Sequence, residues 1–182
     1  TGLGAATFLG RVLSSDVSRL RLGRARYGVI CNREGGIIDD AIVYRLGDDR
    51  FLLIPNAANA DAVVEWVSRW LLSDDGVSIE VVTAELAMIA LQGPQAAEIL
   101  SGLTPHDLSK LRPFRAVETT VMGVDALVAR TGYTGEDGFE IVLALGDAIS
   151  LWELLLEKGA APCGLGARDV LRLEAGLALH GN

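Results

Sequence analysis

The chain has 182 residues, 50% of them apolar, with 16 basic against 24 acidic residues and a net charge of −8. That composition excludes disorder as the main state, because disordered chains are poor in branched aliphatics, and the acidic balance excludes broad binding to nucleic-acid backbones, which needs a basic surface. The longest apolar run, Leu86 to Leu91, is far short of the ~20 residues that cross a bilayer. Two cysteines, Cys31 and Cys163, and two histidines, His106 and His180, are too few for a disulfide framework or a Cys/His metal centre, so no metal is expected.

In chain order, residues 5–14 put Ala5, Phe8, Leu9 and Val12 on one helical face. Residues 27–31 alternate as a strand, and 37–46 and 50–55 read as strands joined by the hairpin signal Gly47-Asp48-Asp49. Residues 60–72 form a helix with Val63, Val64 and Val67 inward, and 78–83 alternates as a further strand. A second series follows: strand 85–91, helix 95–103, strands near 117–122, 126–131 and 139–145, and helix 148–158.

The two series are related. Gly2, Ala5, Ala6 and Leu9 recur as Gly93, Ala96, Ala97 and Leu100 at one offset of 91. The same offset carries Asp16-Val17-Ser18-Arg19-Leu20 onto Asp107-Leu108-Ser109-Lys110-Leu111. Arg45 and Phe51 answer to Arg130 and Phe139, and Trp66 to Trp152 at an offset of 86. The alternative is chance in an Ala/Leu-rich chain, which a shared offset across separate blocks makes the weaker reading. The expected class is α+β with antiparallel sheets, built as an internal duplication of two ferredoxin-like, split βαβ modules (β-α-β-β-α-β). The first module spans 1–83 and lacks its opening strand; the second spans 84–182 and adds a long glycine-rich hairpin and a C-terminal helix.

Three stretches can carry chemistry. In Gly35-Gly36-Ile37-Ile38-Asp39-Asp40, successive strand residues face opposite ways. Asp40 shares a face with Ile38, Ile42 and Tyr44, which reads as the more apolar side; Asp39 lies with Ala41, Val43 and Arg45. A carboxylate on an apolar face is a candidate functional group; the alternative is a carboxylate pairing with backbone amides at the Gly-Gly turn. The run Arg130 to Glu140 holds Gly132, Gly135 and Gly138, which permit close approach of backbone to a ligand, and it replaces the short hairpin of the first copy. Glu140 follows on a strand with Val142 and Ala144. The plain reading there is a glycine-rich hairpin with Tyr133 as a lid on the core. In Gly164-Leu165-Gly166-Ala167-Arg168-Asp169, a Gly-x-Gly turn opens a helix, but Asp169 replaces the third glycine of a dinucleotide fingerprint, so a Rossmann site is rejected. The alternative for Asp169 and Arg172 is a surface ion pair.

These stretches, with Asn56-Ala57-Ala58-Asn59 and Leu91-Gln92-Gly93-Pro94, resemble the glycine cleavage system T-protein (aminomethyltransferase) family, in family order and over essentially the whole chain. The resemblance implies an enzyme that moves a one-carbon unit from the aminomethyl-lipoyl arm of H-protein to tetrahydrofolate, its co-substrate, releasing ammonia. It implies Asp40 as the catalytic carboxylate, and Tyr27, Asn56, Asn59, Tyr133, Glu140 and Arg168 as folate-binding residues. The expected partners are lipoylated H-protein and tetrahydrofolate, with no nucleic acid and no membrane, and the expected location is the bacterial cytoplasm rather than the mitochondrial matrix. Family chains carry a stretch before this one and a barrel after it, so catalysis by this piece alone is not expected. The rival readings are the folate-binding portion of a dimethylglycine or sarcosine oxidase, a related folate-dependent demethylase, and a folate-binding protein of iron–sulfur maintenance, whose Lys-Gly-Cys motif does not occur here.

Overall fold

A computed structural model describes residues 1–181. The chain divides into two compact units, Thr1–Val81 and a second from Val82 onward. The first holds α1 (Ala5–Val12), strands β1 (Ala25–Cys31), β2 (Ile37–Arg45) and β3 (Phe51–Pro55), and α2 (Ala60–Ser68). The second holds β4 (Leu86–Gln92), α3 (Ala96–Ser101), β5 (Ala116–Val121), β6 (Val124–Ala129), β7 (Gly138–Ala144), α4 (Ala148–Glu157) and α5 (Leu165–Glu174). The sheets run β1-β2-β3 and β4-β7-β6-β5, with every neighbouring pair antiparallel. The α+β class with antiparallel sheets is as expected.

The connections differ from the expected order. Each unit contains a helix, a three-stranded meander and a second helix, with no helix between the last two strands; the second unit adds β4 before its first helix and α5 after its second. The strand expected at 78–83 is not formed. Its alternation supplies β-propensity, but propensity acts only where a partner strand is present, and Ser78 instead exchanges backbone hydrogen bonds with Thr1.

The duplication is visible bond by bond. In β1–β2, Ala25 pairs with Tyr44 and Val29 with Asp40; in β5–β6, Ala116 pairs with Ala129 and Thr120 with Asp125. In β2–β3, Ala41 pairs with Pro55 and Tyr44 with Leu52; in β6–β7, Ala126 pairs with Leu143 and Ala129 with Glu140. Gly2 and Gly93 have φ of 120° and 115°. Their carbonyls accept from Ala5 and Ala96, and their amides donate to Asp49 and Asp137 carbonyls. Asp16 accepts from the Ser18 amide and hydroxyl as Asp107 does from Ser109, and in both the serine hydroxyl is the main cause of a carboxyl pKa below its ordinary value. Arg45 and Arg130 each donate to the carbonyl of the equivalent leucine, Leu20 or Leu111, and each lies over the equivalent phenylalanine, Phe51 or Phe139.

One pairing is corrected. A 3-10 turn runs directly into each second helix, Ala57–Asn59 into α2 and Leu145–Asp147 into α4. This sets Val63 and Val67 against Leu151 and Leu155, all buried. Trp152 therefore answers to Val64 and Trp66 to Leu154. The tryptophans were matched as the rarest residue type, but burial of the inward face sets the register.

Each unit buries its own core: Phe8, Leu9, Val12, Ile30, Val43 and Val63 in the first, and Leu100, Val121, Val128, Phe139, Ile141 and Leu151 in the second. Leu100 is 0% exposed at the centre of the latter. Leu100→Ala is expected to cost about 2–5 kcal/mol of stability, the range for a buried leucine that leaves a cavity, as read from urea denaturation. A cost under about 0.5 kcal/mol would show that the helix does not seal this core.

Candidate functional site

The first group is set by β2. Its alternation separates the two aspartates, but the buried face is the one that carries Asp39, not Asp40. Ala41, Val43 and Ile30 pack in the core on Asp39's side, and Asp39 is 0% exposed while Asp40 is half-buried. This corrects the sequence reading of the Asp40 side as the apolar face. A count of large side chains favoured Ile38, Ile42 and Tyr44, yet the helices pack on the side whose small Ala41 and Val43 admit them closely.

A buried carboxylate must be met by donors, and Asp39 is. The backbone N–H of Asn56 donates to Asp39 Oδ2 at 2.8 Å, and the Nδ2 groups of Asn56 and Asn59 donate to Oδ1 at 2.9 and 2.8 Å. Asn56 follows Pro55 at the end of β3, where the chain turns into the 3-10 segment that brings Asn59 back. The same Asn56 Nδ2 lies 3.0 Å from Asp40 Oδ1 and 3.2 Å from the Asp40 carbonyl. Asn56 thus links the two carboxylates, one buried as an anchor and the other held half-open. Tyr27, opposite Ile42, and Val29, opposite Asp40, share Asp40's face of the sheet, and Tyr27 is 49% exposed. The sequence marks Asp40, Asn56 and Asn59; the anchoring role of Asp39 is missed, although a second acidic residue beside Asp40 was its signal.

The second group surrounds the loop between β6 and β7. Thr131 is buried and donates from Oγ1 to Glu140 Oε2 at 2.5 Å. At the loop tip the Tyr133 hydroxyl donates to the Ala178 carbonyl, and the Arg168 guanidinium lies 4.5 Å from the Tyr133 ring centroid, a cation–π stack. Gly135, at φ 77°, could not be another residue: a Cβ there would lie 2.7 Å from Ala175 Cβ. Arg172 on α5 pairs with Asp169 at 2.8 Å, but Arg172 is buried and also donates to the Leu177 carbonyl, so the pair is not the surface one that the spacing offered. The loop base is clasped by Arg130, whose Nε and Nη2 donate to Asp137 Oδ1 and Oδ2 at 2.8 and 2.6 Å. That pairing lowers the Asp137 pKa and raises that of Arg130.

These groups suit recognition of a flat, polar heteroaromatic ligand. A carboxylate such as Glu140 can accept from adjacent N–H groups, and an arginine can donate to a carbonyl or carboxylate. The exposed Tyr27 and the half-buried Tyr133 carry aromatic faces of the kind that pack on a ring. The repeat sharpens the assignment. Glu140 stands where the first copy has Leu52, and Asp39, Asn56 and Asn59 stand where the second has Val124, Ala144 and Asp147. The frame is shared, and so is the aspartate at the Asp40 position, where the second copy has Asp125; Glu140, Asp39 and Asn56 have apolar counterparts.

A family profile described as the GCVT N-terminal domain matches residues 1–182, the whole chain. The chain belongs to that family. An aminomethyltransferase of Geobacillus thermodenitrificans is 48% identical to this GCVT N-terminal domain over 99% of the chain and 50% of the relative. The crystal structure of glycine cleavage system aminomethyltransferase T from Bartonella henselae superposes with a TM-score of 0.88 at 42% identity, covering all of this chain and 48% of that one. The chain thus spans about half the length of the aminomethyltransferases it matches. A heterotetrameric sarcosine oxidase from Corynebacterium shares the fold at 21% identity with a TM-score of 0.58. Among the described residues no helix of the GCVT N-terminal domain is long and apolar enough to cross a membrane.

Proposed function

We propose that this GCVT N-terminal domain is the folate-binding portion of a glycine cleavage aminomethyltransferase, acting in the bacterial cytoplasm. The substrates are the aminomethyl group on the lipoyl arm of H-protein and tetrahydrofolate. The observation that carries this reading is the family match over the whole chain, joined to a half-open Asp40 held by Asn56 on one strand face with Tyr27.

In the reaction, the methylene carbon loses its bonds to the lipoyl sulfur and to nitrogen, and gains bonds to the two reacting nitrogens of tetrahydrofolate. Ammonia and the dihydrolipoyl arm leave. Asp40 orients the folate, moves a proton from a reacting nitrogen, or stabilises the iminium cation that forms as ammonia departs. Asn56 restricts the Asp40 carboxylate to one orientation. Tyr27, Asn56 and Asn59 are the first unit's share of the folate-binding set; Tyr133, Glu140 and Arg168 are the second's. Because the relatives are about twice as long, turnover belongs to the full-length protein, not to this portion alone.

Calorimetry with tetrahydrofolate on the full-length protein tests the reading. Glu140→Gln keeps the shape and removes the charge, and is expected to weaken binding by about 1–3 kcal/mol, the value of a hydrogen bond to a charged group; Arg168→Ala is expected to weaken it as well. Unchanged affinity in both variants would overturn the folate assignment.

A further inference from the structure

The Leu91-Gln92-Gly93-Pro94 stretch has so far carried no chemistry. Gln92 ends β4 opposite Gly138, beside the loop of the second group. Its Nε2 donates to the Thr131 carbonyl and to the Phe139 carbonyl, both at 3.1 Å. Those two carbonyls are the two ends of the loop, so one side-chain amide ties its entry to its exit. The fit is tight. A Cβ at Gly132 would lie 2.0 Å from Gln92 Oε1, and one at Gly138 would lie 2.5 Å from it. Two of the loop's glycines are therefore the space that Gln92 occupies, and Gln92 Oε1 is buried there without a hydrogen-bond partner among the described residues. The next residue continues the clasp, since the Gly93 amide donates to the Asp137 carbonyl at 2.7 Å.

What the clasp holds is Thr131. With its carbonyl fixed by Gln92, Thr131 turns its hydroxyl onto Glu140 Oε2 at 2.5 Å. A hydroxyl donating to a carboxylate oxygen makes a short, directional bond, and it restrains the Glu140 carboxylate at Oε2. The equivalent loop of the first copy is only the Gly47-Asp48-Asp49 hairpin, with Leu52 where Glu140 stands.

We propose that Gln92 and Thr131 are positioning residues that hold the Glu140 carboxylate in the orientation that accepts the N–H edge of the folate ring. The proposal rests on the folate reading given above. Neither residue moves a proton or touches the reacting carbon; each acts through Glu140.

The test uses tetrahydrofolate calorimetry and steady-state kinetics on the full-length protein, with thermal unfolding recorded for each variant. Gln92→Leu and Thr131→Val are each expected to weaken tetrahydrofolate affinity about tenfold, the effect of losing one bond to a charged group. Turnover at saturating folate should stay within about twofold, because an interaction made equally in ground and transition states changes KM and not kcat. Thr131→Ser keeps the hydroxyl and is expected to restore affinity. Thr131→Val changes little volume and carries the test if Gln92→Leu does not fold. Wild-type affinity in Thr131→Val, with or without a lower melting temperature, would overturn the positioning role while weak binding by Glu140→Gln left the folate reading intact. Wild-type affinity in Glu140→Gln would instead remove the folate reading at Glu140, and this inference with it.

Discussion

Asp40→Asn in the full-length protein is expected to lower turnover about a hundredfold or more and to leave stability near wild type. Asp39→Asn is expected to do the reverse. Asp39 has no exposure and accepts from three donors, and an asparagine there turns an N–H toward at least one of them. A buried donor left unsatisfied costs about 1–3 kcal/mol, so a loss of about 2–4 kcal/mol is expected for this site. Asp40 is half-buried, and an asparagine there can present its own Oδ1 to Asn56 Nδ2, which leaves the Asn56 bond to Asp39 in place. Urea denaturation and the aminomethyl-transfer assay, run on both variants, separate the roles. Equal losses of turnover, or a larger loss at Asp39, would show that the catalytic carboxylate has been misassigned.

Arg130→Met is expected to cost about 2–3 kcal/mol, the sum of a few net hydrogen bonds, and to change how stability responds to acid. Arg130 donates to the Leu108 and Leu111 carbonyls and pairs bidentately with Asp137. The Asp137 pKa is lowered, first by the hydrogen bond from Arg130, against the opposing effect of burial. A carboxyl whose folded pKa is depressed contributes stability that is fully present above its unfolded pKa, about 3.9, and is lost as pH falls through the lower folded value. Wild type should therefore lose stability below about pH 4 more steeply than Asp137→Asn, which keeps the shape and has no proton to bind. Arg45→Met serves as the comparison: Asp48 lies 3.9 Å from Arg45 and is fully exposed, so the carbonyl contacts and the Phe51 ring contact are what is at stake there. Parallel pH profiles for wild type and Asp137→Asn would rule out the coupling.

Periodicity made most of the strands legible, because inward and outward residues alternate wherever a sheet has one covered face. It failed at 78–83, where alternation exists but no strand lies beside it. It also misjudged β2, because it weighed side-chain size and not the closeness of helix packing over Ala41 and Val43. The candidate site is drawn from places where a charged residue interrupts an apolar strand, at Asp40 and Glu140, and where glycines cluster, around Tyr133. Gln92 left little trace: an amide at a strand end is ordinary until the fold shows that Gly132 and Gly138 make room for it. Asp39 was read only as the outward partner of Asp40, since nothing in a linear pattern says that Asn56 and Asn59 return to meet it.

The bond-for-bond agreement of the two units has a consequence for how such a protein can change. The Asp16 turn and the Arg45 contacts with a leucine carbonyl and a phenylalanine ring each exist in a second edition. A hairpin can therefore be long in one copy while its sibling stays short. The Glu140 loop and the Asp39 anchor occupy unlike addresses, as expected if the halves diverged by division of labour rather than in step. A chimera in which the 130–139 hairpin is replaced by residues 45–51 should then fold, because the clasping arginine and the phenylalanine beneath it are already in both.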